Sequence, residues 1–104
     1  MNISTTETIA GREIVETIGI ARGNTIRAKH VGTDIMAGLR NLVGGEVSEY
    51  TKLMAEAREQ ALDRMMANAA QMGADAVVGV RFSTSLITQG AAEILAFGTA
   101  VKLK

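Results

Sequence analysis

A chain of 104 residues holds one domain around a single hydrophobic core, and residues 1–104 are read as that one domain. Its 11 basic and 11 acidic side chains balance, so the Lys/Arg surplus of a non-specific nucleic-acid binder is missing, and two Phe with one Tyr make no base-stacking platform. The absence of Cys excludes disulfide scaffolds, thiolate metal sites and cysteine nucleophiles. No apolar run approaches the roughly 20 residues that span a bilayer, and the first residues carry no signal-peptide pattern, so a cytoplasmic soluble protein without a membrane partner is expected.

Met1–Arg12 is polar and Thr-rich, suited to an edge strand or to an arm on a neighbour. Glu13–Ala21 reads as a strand with Ile14, Ile18 and Ile20 on one face; Gly23-Asn24 reads as a turn, after which Thr25–Lys29 continues extended. A short helix is expected from Asp34 to Leu42, capped by Thr33, with Ile35, Leu39 and Leu42 at helical spacing. Gly44-Gly45 then reverses the chain.

The dominant element is a helix expected over Glu46–Met72. This stretch has no Pro and no internal Gly, and is rich in Ala, Leu, Met, Glu, Lys, Arg and Gln. Gly73 follows as the left-handed residue that ends it. At about 1.5 Å per residue such a helix is about 40 Å long. Val47, Tyr50, Met54, Ala57, Ala61, Met65 and Met72 form one apolar stripe, and Ala55, Leu62, Met66 and Ala69 a second set beside it. The combined arc exceeds what one small sheet can cover, so a second copy of the chain is expected to cover the remainder.

After the helix, Ala76–Ser85 alternates, with Val78, Val80 and Phe82 on one face. Thr88-Gln89-Gly90 turns the chain. Ala92–Leu103 carries Leu95, Phe97, Val101 and Leu103 on one face and Ala92, Ala96, Gly98 and Ala100 on the other. That small-residue face marks close approach by another element. The fold class expected is α+β, with three main antiparallel strands, a long helix and a short one, and the last two strands as a hairpin.

No catalytic triad, nucleophile–base pair or metal-protease motif is visible, so no enzyme and no cofactor is expected. Gly44-Gly45 with Arg40 nearby could cradle an anion, although a plain inter-helix turn explains the pair as well. Glu46 and Tyr50, four apart on one helix face, could join Arg27 or Arg40 in a small polar site. His30 is the single imidazole and lies beside Arg27 and Lys29, an unfavourable setting for a metal; the Met residues read better as core filler than as thioether ligands. Arg58 falls among the apolar positions of the long helix. It either snorkels or pairs with a buried carboxylate, for which Glu93, on the Leu95–Phe97 face, is the first choice and Glu16 the second.

These residues also carry a resemblance. Thr5-Thr6, Gly11-Arg12, the GN-T-IRA run from Gly23 to Ala28, Asp34 before Ala37, GGE-x₃-Y from Gly44 to Tyr50, Ala57-Arg58, GADAVVGVRF from Gly73 to Phe82 and AEILAFGTAV from Ala92 to Val101 together resemble the YbjQ-like family, a bacterial family described as heavy-metal-binding. Phe97 stands where Tyr is expected in many members, which removes a hydroxyl. The resemblance implies a dodecin-like α+β subunit, a small antiparallel sheet on a long helix, in a ring-shaped homo-oligomer, a pentamer. Two functional readings stand beside it. One is a non-enzymatic module binding a small ligand or metal ion at subunit interfaces, with Arg27, Arg40, Glu46, Tyr50 and Arg58 as its best residues. The other is a purely structural or partner-binding ring.

Overall fold

The computed structural model describes residues 1–28, 48–88 and 91–104. The expected short helix, Gly44-Gly45, His30, Arg40 and Glu46 lie outside the described residues, as does the Tyr50 side chain. The described elements are β1 (Asn2–Ile3), β2 (Ile14–Ala28), α1 (Ser48–Gln71), β3 (Ala76–Thr88) and β4 (Ala91–Leu103). They build an α+β unit in which one helix lies on a four-stranded sheet of order β1-β3-β4-β2. The three long strands are antiparallel and β3–β4 is a hairpin, as expected. The sheet as a whole is mixed, because β1 runs parallel to β3 at Ala76–Val77.

The end of α1 follows from Gly73. Gly73 has φ +83°, its N–H donates to Ala70 O at 3.0 Å, and Ala74 N donates to Ala69 O at 3.0 Å. This is a Schellman cap, which satisfies carbonyls that the last helical turn leaves without partners. An L side chain is strained at that φ, so Gly73→Ala should lower stability by about 1 kcal/mol, read as a shift of the urea midpoint at unchanged m-value; an unshifted midpoint would contradict the cap.

The helix packs mainly on β2, less on β4 and hardly on β3. Ala57, Ala61, Met65 and Ala69, spaced by four, are buried against Ala21, Ile94, Ala96 and Ala100. The sheet face that receives the helix is therefore the small-residue face of β4, as its composition suggested. Small side chains let the helix axis approach the sheet closely, and the extreme case is Gly23. A Cβ there would fall on Met65 N and within 2.5 Å of Ala61 O.

Three sequence expectations are corrected. Gly23-Asn24 is not a turn: β2 runs unbroken from Ile14 to Ala28, and the glycine is needed because helix backbone rests on it. Ile18 and Ile20 do not share a face. The register slips between Thr17 and Gly19, so Ile18 packs into the helix-side core while Ile20 is 64% exposed. Val78 and Val80 are likewise split by a bulge at Gly79, whose φ is +62°. Val80 joins the helix-side core; Val78 joins Ala76 and Val101 in a second cluster on the opposite face, closed by Ile9, Ile14 and Leu103.

The N-terminal residues are held along the outer edge of β3. Ser4 N donates to Val77 O, Gly79 N to Thr6 O and Val80 N to Ser4 O, at 2.8–3.0 Å, and Arg81 Nη1 donates to Thr5 O at 2.9 Å. Beyond Arg81 the side chains of Phe82, Leu86 and Ile87 on β3 are exposed.

Candidate functional site

Polar side chains of α1 meet β2 along one flank of the helix. Gln60, Arg64 and Asn68 recur at intervals of four and so share that flank. Asn68 Oδ1 accepts from Arg22 N at 2.9 Å, and Arg64 Nη1 donates to Asn24 O at 2.7 Å. Both backbone groups belong to the outer edge of β2, where no further strand pairs among the described residues, so the helix caps an edge open to pairing with another chain. The sequence reading missed this ladder; its signal is a run of polar residues at i, i+4 and i+8 bordering the apolar stripe.

Gln60 is the end of the ladder where a site forms. Its Oε1 accepts from Arg27 Nη2 at 2.9 Å, and the hydroxyl of buried Thr25 lies 3.4 Å away. Arg27 and Gln60, with Ala55, Glu56, Glu59 and Asp63, line an open cleft of about 550 Å³. Arg27 Nε is buried there without a hydrogen-bond partner among the described residues. Leaving a charged donor unsatisfied costs on the order of 1–3 kcal/mol or more, so the arrangement favours any acceptor oxygen that reaches Nε. Among the described residues the cleft thus combines one cation with three exposed carboxylates. It can orient a small polar molecule by charge, and its described residues include no nucleophile–base pair.

Of the residues singled out from sequence, Arg27 lies in this cleft. Arg58 is exposed elsewhere on the helix, and Arg40, Glu46 and the Tyr50 side chain lie outside the described residues. The expected Arg58–Glu93 pair does not form within one chain. Glu93 shares the face of Leu95 and Phe97, whereas the helix took the opposite, small-residue face, so the sheet stands between them. Glu93 Oε2 instead accepts from Asn24 Nδ2 at 3.1 Å. Glu16, the second choice, is also exposed.

The YbjQ_1 family, whose description reads "Putative heavy-metal-binding", matches residues 1–104. The chain belongs to this family. Relatives share its length: a UPF0145 protein of Methanosarcina acetivorans is 64% identical, covering 99% of this chain and 97% of the relative. A UPF0145 protein of Psychromonas ingrahamii is 59% identical, covering 100% and 99%. A crystal structure of a protein with unknown function in the DUF74 family, from Pediococcus pentosaceus, superposes with a TM-score of 0.63 over 100% of this chain and 98% of the other, at 17% identity, a likeness of fold alone.

The family description prompts a test of the donor set. A soft metal ion seeks several thiolate or imidazole ligands in one place. The chain has no Cys and one His, and among the described residues no three His, Asp or Glu are grouped to hold a metal. Arg27 in the cleft opposes a cation, and Met65 is sealed in the core. The described residues therefore do not fit a heavy-metal centre. Among them no helix is long and apolar enough to cross a membrane.

Proposed function

We infer that this YbjQ-family chain is a non-enzymatic, cytoplasmic binding module that takes a small polar ligand in the Arg27 cleft and works as a ring-shaped homo-oligomer of dodecin-like subunits, a pentamer. The observation that carries the ligand reading is the buried Nε of Arg27, without a partner among the described residues, at a cleft lined by side chains of both signs. A ligand oxygen accepting from Nε, with a donor group toward Glu56, Glu59 or Asp63, would satisfy both halves. The oligomer reading is supported by surface and shape. The radius of gyration is 17.0 Å, against about 13 Å for a compact domain of this length, and one sheet face leaves large aliphatic side chains in water.

Native mass spectrometry of protein purified without chelator tests both parts. The expected result is a closed oligomer carrying extra mass, and loss of that mass without change of subunit count in Arg27→Gln. Spectra of wild type and Arg27→Gln that both show bare subunits would overturn the ligand reading. They would leave the second reading, a structural or partner-binding ring, which the exposed Ile20 and Ile26 favour.

A further inference from the structure

The sheet face turned away from the helix is the surface that one chain leaves unfinished. On β2 it carries Ile20 and Ile26, 64% and 56% exposed, and on β4 the half-covered Glu93, Leu95 and Phe97. The helix has an unfinished surface as well. Its stripe of Ala57, Ala61, Met65 and Ala69 is spent on the sheet, and the flank of Gln60, Arg64 and Asn68 on the edge of β2. The opposite flank holds Arg58, Leu62 and Met66, of which Arg58 is exposed and the other two only partly covered.

These two surfaces match in spacing and charge. Residues two apart on a strand repeat every 6.6 Å or so, and residues four apart on a helix about every 6 Å. Glu93, Leu95 and Phe97 on β4 therefore keep step with Arg58, Leu62 and Met66 on α1. Each trio begins with a charge, of opposite sign, and continues with two apolar side chains.

We propose that in the assembly the Arg58–Leu62–Met66 flank of one copy lies on the Glu93–Leu95–Phe97 row of the next, pairing Arg58 with Glu93 between subunits. The occupant of the open sheet face is thus a second copy of this chain. Leu62 meets Leu95, and Met66 sets its thioether against the Phe97 ring. Glu93 is already oriented by Asn24, leaving Oε1 for the incoming guanidinium. The direction is fixed by like charge. Phe97 stands in register between Arg22 and Arg81, so the reversed orientation would carry Arg58 to the arginine end of the row. Because the two surfaces are different patches, the contact is heterologous, the kind that builds a ring when its rotation closes.

This proposal rests on the oligomeric reading above, and one set of full-length variants separates the two. Wild type, Arg58→Glu, Glu93→Arg and the double exchange are compared by light scattering and native mass spectrometry across a dilution series. Circular dichroism confirms that each is folded, as expected for substitutions at surface positions. Each single exchange should raise the concentration of half-dissociation about tenfold or more, and the double exchange should recover most of that loss. Leu62→Glu should weaken assembly likewise. A wild type that is monomeric at micromolar concentration overturns the oligomeric reading itself. An oligomeric wild type whose single exchanges assemble unchanged, or whose double exchange is no better than the singles, overturns this interface alone.

Discussion

Gly23→Ala should destabilise the protein by about 3 kcal/mol or more, the upper end of what a single added methyl costs in a packed interior. The reason lies in what the methyl would meet. Side chains can often rotate away from an inserted atom, but here the obstacles are Met65 N, Ala61 O at 2.5 Å and Arg64 C at 2.6 Å, all backbone of α1. Relief requires the helix to lift from β2, and lifting it breaks the bonds from Arg64 to Asn24 O and from Arg22 N to Asn68 at the same time. Gly11→Ala is the control. Gly11 has φ +76° and open space around the added Cβ, so only backbone strain of about 1 kcal/mol is expected. Urea unfolding of both variants decides the matter. Equal losses would mean that the helix does not rest on Gly23 and that the packing described here is wrong.

The same glycine illustrates where sequence reading stops. Gly-Asn is turn chemistry, and nothing local distinguishes a glycine that bends the chain from one that makes room for a helix more than thirty residues later. Gly73 was legible because a cap is a local device: the glycine follows the last apolar helical position, and its φ settles the rest. The bald face of β4 was legible for a related reason, since Ala92, Ala96, Gly98 and Ala100 alternate within one strand. The bulges at Thr17–Gly19 and Gly79 were not, because alternation counts residues and a bulge miscounts by one, sending Ile20 and Val78 to unexpected faces. The site divides in the same way. Arg27 is a cation near the end of a strand and could be picked out, but Gln60 is an unremarkable helix residue until β2 is placed beside it. Arg58 was visible as a charge in an apolar arc. Where Glu93 stands relative to it could not be read from the sequence, because the choice of sheet face depends on side-chain volume and puts Glu93 on the far side of its own sheet.

Met65→Ala should cost about 2–5 kcal/mol, toward the upper part of that range, whereas Met65→Leu should cost less than about 1.5 kcal/mol. Met65 is fully buried and, among the described residues, is the largest side chain so placed. Its neighbours on the helix face are Ala57, Ala61 and Ala69, and those on the sheet include Ala21, Ala96 and Ala100, so many of the side chains around it are too short to fill the space it leaves. The helix cannot settle closer either, because its backbone already touches Gly23. A cavity that cannot collapse retains both the lost transfer energy and the lost dispersion contacts. Leucine has nearly the same volume and restores most of both. The comparison also bears on metal chemistry. If the sulfur of Met65 were retained as a soft ligand, Leu would be as damaging as Ala for any copper(I)-dependent rise in the melting temperature while sparing the fold without metal. The core position predicts instead that added copper(I) shifts the melting temperature of wild type and Met65→Leu equally. A shift seen in wild type and absent in Met65→Leu would make the thioether a ligand and not a packing group.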